Sequence, residues 1–223
     1  MIGSFVVFLK RELVLIMRQK QEYINALAFN ALVILLFVLG FGSDAELLSQ
    51  IAVSLIWVSA LLSQLLLLNK VFYSDYAQGV LEQLFIYSDQ GYILVFAKII
   101  AYWLATTVPL LLLTPWVAIS LSMSLDVLFV LLLSLLIGGL CLSLLGALGA
   151  ALSLHLKQSS LTVALIIMPF YLPVLLLALM ATRASEYQLD ALPYLGLLLA
   201  LMFFLLSWIP FLCAKVLAIN IGS

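Results

Sequence analysis

The sequence predicts an all-α membrane protein with six transmembrane helices and an N-terminal amphipathic helix at the membrane interface. Three observations lead to this fold class. Hydrophobic residues make up 67% of the 223 residues and charged residues 9%, whereas soluble domains have roughly 45–50% and about 25%. Six long segments contain no Asp, Glu, Lys or Arg. The basic residues that flank these segments collect on one predicted side of the membrane.

The six uncharged segments are each long enough to cross a bilayer, which requires about 20 apolar residues for a hydrocarbon core about 30 Å thick. They are Tyr23–Ser43, Leu47–Asn69, Ile99–Leu125, Val127–Leu156, Gln158–Thr182 and Ala191–Ala214. No long linker or low-complexity stretch separates them. We therefore expect residues 1–223 to form one transmembrane domain without an attached soluble enzyme.

Residues 1–22 precede the first uncharged segment and mix apolar with basic side chains. At helical spacing the apolar side chains fall largely on one face; they are Phe5, Phe8, Leu9, Leu13, Ile16 and Met17. This pattern predicts a helix that lies in the cytoplasmic interface of the membrane. The alternative is a basic tail that only sets the topology, but such a tail would not need this apolar content.

The positions of the nine basic residues predict the orientation of the chain. With six helices in place, eight of them fall on one side: Lys10, Arg11, Arg18, Lys20, Lys70, Lys98, Lys157 and Lys215. Only Arg183 falls on the opposite side, with the acidic residues Asp44, Glu46, Asp126, Glu186 and Asp190. By the positive-inside rule, both termini are expected in the cytoplasm.

The longest polar segment, Lys70–Lys98, joins the second and third predicted spans, and residues 70–90 form its cytoplasmic part. Gly79 interrupts this part, and a short amphipathic helix is predicted to follow. A helix of this kind can dock in a groove of a partner protein. A simple connecting loop is the alternative, but a connector needs only a few residues, so the docking interpretation is favoured.

Lys98 stands in an otherwise apolar stretch near the start of the third span. As a helix, Gly91–Leu125 would extend about 50 Å, which is more than one crossing requires. The third helix is therefore expected to begin in the cytoplasm, with Lys98 extending outward to the lipid headgroups. A role for Lys98 in an ion pathway is the alternative.

Within the predicted spans, small residues and prolines indicate how the helices pack. Small residues recur every four positions in the fourth span, at Gly139, Ser143, Ala147 and Ala151. They predict a close helix contact, either within the subunit or with a neighbour. Prolines that are predicted to bend or interrupt helices stand at Pro109, Pro115, Pro169, Pro173 and Pro210.

The spans show no pair of opposite charges, which argues against a transporter driven by protons or sodium. We find no candidate catalytic residue and no metal site, because His155 is the only histidine. His155 is more readily explained as a solvated interfacial residue than as a haem ligand. There is no Gly-rich phosphate loop, so energy for transport would come from another chain. The net charge of -1 offers no basis for binding nucleic acid.

Several motifs resemble the cytochrome c maturation protein B family, which comprises the haem exporter B permeases. Asp75 to Leu84 reads Asp-x3-Gly-x-Leu-Glu-Gln-Leu and is fairly specific. Further matches are Ile56-Trp57-Val58, Ala97-Lys98, Trp103, Pro109-Leu110, Leu145-Gly146-Ala147, Leu156-Lys157, and Pro169 with Pro173. The resemblance extends from about Ile51 to the end of the fifth span.

This resemblance implies a type-2 ABC exporter-like permease in the bacterial inner membrane that supports haem loading of c-type cytochromes. Its implied partners are a dimeric ATP-binding cassette subunit that hydrolyses ATP, a second multispanning maturation subunit, a small single-span subunit and, indirectly, a periplasmic haem chaperone. Haem would be a substrate and not a tightly bound cofactor. Residues implied to contact the ATPase subunit are Asp75, Gly79, Leu81, Glu82, Gln83 and Leu84.

Two alternatives to haem export follow from the same features. A type-2 exporter of a lipid or polysaccharide would share six spans and an interfacial helix. A passive membrane scaffold would need no ATPase partner. An intramembrane enzyme is disfavoured because no facing pair of polar catalytic groups is present in the spans.

Overall fold

The computed structural model describes residues 2–41, 45–68, 70–87, 91–121, 123–154 and 160–222. Within these ranges the chain forms nine α-helices. They are α1 (Ile2–Arg18), α2 (Lys20–Phe41), α3 (Ala45–Leu67), α4 (Lys70–Ala77), α5 (Val80–Tyr87), α6 (Gly91–Ser120), α7 (Leu125–Leu152), α8 (Ser160–Glu186) and α9 (Leu192–Gly222).

Six stretches of the described chain are long and apolar enough to cross a membrane, and this confirms the predicted all-α membrane fold. They are Lys20–Gly40, Ile51–Ala77, Gly91–Ser120, Leu125–Leu152, Leu165–Glu186 and Leu192–Asn220. Each overlaps one of the predicted uncharged segments. Several helices are longer than those segments, because charged residues such as Lys98, Arg183 and Lys215 lie inside helices and not at their ends.

Helix α7 lies at the centre of the bundle and packs mainly against α8 and α9, with further contacts to α3, α4 and α6. Its first turn is capped by Ser124, whose side-chain oxygen accepts a hydrogen bond from the Val127 N–H at 3.4 Å. The predicted small residues all lie buried in this helix: Gly139, Ser143, Ala147 and Ala151. Their small side chains let neighbouring helices approach closely.

The glycines of α7 show how close these approaches are. A Cβ atom at Gly138 would lie 2.5 Å from Cη2 of Trp57 on α3. At Gly146 it would lie 2.7 Å from Cδ1 of Leu68 and 2.8 Å from the hydroxyl of Tyr171 on α8. The sequence left open whether the small residues of this helix contact the same subunit or a neighbouring one. These contacts lie within the subunit.

The two N-terminal helices lie at the edge of the bundle. Helix α1 runs along α6, and the rings of Phe5 and Phe96 are 5.5 Å apart. Its apolar Val7, Val14 and Met17 remain exposed, whereas the other five residues of the predicted apolar face are half-buried. The interfacial position of this helix stays a prediction. Helix α2 is largely exposed and contacts mainly α3.

The five prolines lie inside helices that continue through them. Pro109 and Pro115 stand within α6, Pro169 and Pro173 within α8, and Pro210 within α9. Each proline removes one backbone donor, yet helical structure is assigned on both sides of every proline. The prolines therefore do not interrupt these helices, and the expectation that they bend them stays a prediction.

Candidate functional site

The candidate site is a helical hairpin formed by α4 and α5, together with the ends of α1 and α6 that hold it. Gly79 lies between the two short helices with φ of 67°, a left-handed conformation that glycine adopts without steric cost. Its N–H donates a hydrogen bond to the Tyr76 carbonyl at 3.0 Å. The glycine break predicted from sequence is thus the turn that lets α5 change direction.

One face of the hairpin is anchored in the core of the bundle. Phe72 of α4 and Leu81 of α5 are both 1% exposed and join the main hydrophobic cluster. Asp75 is 4% exposed and takes part in the ion cluster described below. Because Asp75 and Leu81 are buried in the chain itself, they position the hairpin and do not form its outer surface.

The opposite face of the hairpin is accessible. Glu82 and Gln83 on α5 are exposed, as are Tyr73 on α4 and Gln78 in the turn after α4, while Gly79 and Leu84 are half-buried. Of the six residues predicted to contact a partner, Glu82 and Gln83 therefore present the most accessible side chains. An acidic and an amide side chain side by side offer hydrogen-bond acceptors and donors to a docking partner.

A buried ion cluster joins α1, α4 and α6. The Lys98 ammonium lies 2.8 Å from Oε2 of Glu12 and 2.8 Å from Oδ2 of Asp75, and the side chains of all three residues are 6% exposed. Arg11, which is 29% exposed, adds two longer contacts of 3.4 Å to the Asp75 carboxylate. Two cations thus balance two carboxylates at one point where three helices meet.

This cluster corrects two sequence-based expectations. Lys98 does not extend outward to the headgroups, because its ammonium is buried between two carboxylates. The expectation that no pair of opposite charges would be buried is also wrong. The physical reason is that pairing with an opposite charge offsets most of the free-energy cost of burying a charge. An isolated lysine could avoid that cost only by extending its ammonium to water.

Glu12 is the residue that sequence reasoning missed. Its signal was weak but present, since it is an acidic residue in a helix whose other charged residues are Lys10, Arg11 and Arg18. The charge of Lys98, eight positions into a transmembrane helix, requires a partner at the same membrane depth. Asp75 and Glu12 fall on the same predicted side of the membrane as Lys98 and could have been proposed as its partners.

The described residues provide no metal site: no group of three or more His, Cys, Asp or Glu side chains is positioned to hold an ion. Cys141 and Cys213 are free and buried, as expected for small apolar residues. His155, considered as a haem ligand, and Lys157 lie outside the described residues. The contacts that the structure describes around the hairpin are those of apolar packing and charge pairing.

Six long apolar helices with a hairpin held at one end by charge pairing define an all-α membrane permease. The profile of the family described as CcmB protein matches residues 3–220. This match covers nearly the whole sequence, and the chain belongs to the CcmB protein family.

Curated relatives agree with this assignment. The chain is 41% identical over 223 residues to Heme exporter protein B of Pseudomonas aeruginosa, covering 100% of both chains. It is 38% identical over 219 residues to the Haemophilus influenzae protein of that name, covering 98% of this chain and 99% of the relative. For the Escherichia coli K12 protein of that name, identity is 39% over 210 residues, or 94% and 96% of the two chains.

Proposed function

We propose that this chain is the membrane-spanning subunit of an ABC transporter complex that supports haem delivery, or release of the loaded haem chaperone, in c-type cytochrome biogenesis. The observation that carries this proposal is its similarity, over nearly the full length, to several proteins named Heme exporter protein B. The six apolar helices agree with a membrane permease. Haem is the substrate in this proposal, and no tightly bound cofactor is required.

Energy for the process comes from a separate ATP-binding cassette subunit in this proposal. In the part that the structure describes, the chain consists of six membrane helices, the N-terminal helix α1 and the short helices α4 and α5. Its sequence contains no Gly-rich phosphate loop. Two cassette subunits act as a dimer. A second multispanning maturation subunit, a small single-span subunit and a periplasmic chaperone complete the pathway.

The chain is placed in the bacterial inner membrane with both termini in the cytoplasm. This orientation is supported by the concentration of eight of nine basic residues on one side. Helices α1, α4 and α5 then lie on the cytoplasmic side. The exposed face of the hairpin is consequently presented to the compartment that contains ATP.

Docking of the cassette subunit on the hairpin couples ATP hydrolysis to movement of the membrane helices. Glu82 and Gln83 are exposed and form the contact surface in this scheme. Asp75 transmits the movement, because its carboxylate ties α4 to Lys98 of α6 at 2.8 Å. A displacement of α5 by the cassette subunit is thus transmitted through α4 to the transmembrane helix α6.

Deletion of the gene for this chain is expected to abolish covalent attachment of haem to c-type cytochromes. The reason is that the complex would lose its membrane subunit while the cytochrome polypeptides are still made. Haem-stained gels of membrane fractions measure the outcome. If the deletion strain made normal c-type cytochromes but failed to export a lipid or polysaccharide, the proposal of haem export would be wrong. The chain would then serve another type-2 exporter.

The double variant Glu82→Lys with Gln83→Lys is expected to abolish stimulation of the cassette subunit's ATPase while membrane insertion is retained. Both positions are exposed, so the substitutions reverse or add charge at the surface without disturbing packing. Leu81 is left unchanged because it is 1% exposed, and a polar residue there would destabilise the hairpin itself. ATPase rates in reconstituted vesicles provide the measurement.

Gln21→Lys is a suitable control for this variant. Gln21 is exposed on α2 and lies on the same predicted side of the membrane, so the substitution adds a cation outside the hairpin. It should leave ATPase stimulation unchanged. Full stimulation by the double variant would rule out Glu82 and Gln83 as the docking surface.

A further inference from the structure

A small cavity of about 20 Å³ lies among α3, α6 and α7 in the interior of the bundle. Among the residues that line it are Trp57 and Gln64 of α3, Thr107 of α6 and Gly139 of α7. The three side chains are 0%, 5% and 2% exposed, in that order. Each comes from a helix that is long and apolar enough to span the membrane.

All three side chains carry a polar atom that is not hydrogen-bonded to any described residue: Nε1 of Trp57, Oε1 of Gln64 and Oγ1 of Thr107. Such atoms are costly in an apolar interior, and a membrane supplies no solvent to satisfy them. All three atoms belong to residues that line this one cavity. A molecule bound in the cavity could serve as a partner for all three.

The three atoms have complementary hydrogen-bonding character. The indole N–H of Trp57 only donates, the amide oxygen of Gln64 only accepts, and the Thr107 hydroxyl can do either. The other end of the Gln64 side chain is already engaged, since Nε2 donates to the Gly139 carbonyl at 3.5 Å. A ligand that both donates and accepts would satisfy all three atoms together.

The size of the cavity restricts that ligand to a single small molecule. One water needs about 10–15 Å³ and two to four polar partners. Gly139 helps to keep the space open, because a Cβ atom at this position would lie 2.7 Å from Oγ1 of Thr107. Both requirements for one water molecule are met.

We propose that this cavity is a binding site for one structural water molecule, which accepts a hydrogen bond from Trp57, donates to Gln64 and pairs with the Thr107 hydroxyl. The water joins α3 and α6 beside α7 and replaces a direct contact between their side chains. This site is independent of the docking hairpin and of the proposed transport function.

The sign of a stability change tests the site. With bound water, Thr107→Val removes a hydrogen bond to that water, and the unfolding temperature of the detergent-purified protein should fall by about 2–4 °C. Without it, the same substitution removes an unsatisfied hydroxyl from an apolar site, and the unfolding temperature should rise. Thr107→Ser retains the hydroxyl and should keep the water.

Radiolytic hydroxyl labelling gives a second measurement that does not depend on stability. X-rays generate radicals from bound water, so the buried Trp57 should be oxidised in the starting protein and in Thr107→Ser. Its labelling should fall several-fold in Thr107→Val. Labelling of Trp103, which is half-buried elsewhere on α6, should remain the same. A rise in unfolding temperature for Thr107→Val, or no oxidation of Trp57 in the starting protein, would overturn the proposal.

Discussion

Replacing Lys98 with methionine is expected to lower the free energy of unfolding by about 3–5 kcal/mol, because it leaves two buried carboxylates without their shared cation. Glu12 and Asp75 each lie 2.8 Å from the Lys98 ammonium, and their side chains are 6% exposed. Arg11 also pairs with Glu12 but could compensate only in part, since its contacts to Asp75 are 3.4 Å long and its side chain is 29% exposed. Thermal unfolding of the purified protein in detergent measures the effect, as a decrease of roughly 6–20 °C in the midpoint.

Two control variants separate loss of the cation from loss of a lysine side chain. The triple variant Glu12→Gln, Asp75→Asn, Lys98→Met removes the three buried charges at similar volume and leaves only Arg11, which is 29% exposed, without its carboxylate partners. It should recover most of the stability, because replacing buried ion pairs is often nearly neutral. Lys215→Met removes an exposed lysine on α9 and should change stability by less than about 0.5 kcal/mol. Equal unfolding midpoints for Lys98→Met and Lys215→Met would show that the cluster adds no net stability.

Gly138→Ala is expected to destabilise the bundle by about 1–3 kcal/mol, although alanine is the better helix former. The added methyl group would lie 2.5 Å from Cη2 of Trp57. Trp57 is fully buried, so its rigid indole cannot move aside without displacing α3 from α7. Unfolding midpoints in detergent, with the yield of folded protein after gel filtration, provide the measurement.

Gly196→Ala is a matched control for this prediction. Gly196 lies in α9, and a Cβ atom there would have no neighbour within 4 Å. The same substitution should therefore be neutral or stabilise the protein by up to about 1 kcal/mol, because glycine loses more backbone entropy on folding. If Gly138→Ala were as stable as Gly196→Ala, close contact of α3 with α7 would not limit stability.

The membrane helices could be predicted because their signal is local. Each span is an uncharged run of sufficient length, and no knowledge of its neighbours is needed to recognise it. The boundaries were less accurate: α9 continues to Gly222, beyond the predicted end at Ala214. A charge marks the end of an apolar run, but a helix can continue past it as long as its backbone hydrogen bonds are made.

The candidate docking segment could be predicted only in part. Gly79 and the amphipathic residues after it correctly indicated a break followed by a helix. Which side chains face outward could not be derived, since Leu81 and Glu82 are neighbours in sequence yet one is buried and the other exposed. That distinction depends on how the hairpin lies against the bundle.

The sequence by itself determined the membrane class, the number of spans, the predicted orientation and the family, because these depend on composition, run length, charge order and short motifs. Only the tertiary structure decided which charged and polar groups are buried and which of them pair. Glu12 and Lys98 are 86 positions apart, and Thr107 faces residues of another helix across a cavity. Pairing over such distances depends on helix packing, which places groups at the same depth and excludes the water that would otherwise separate them.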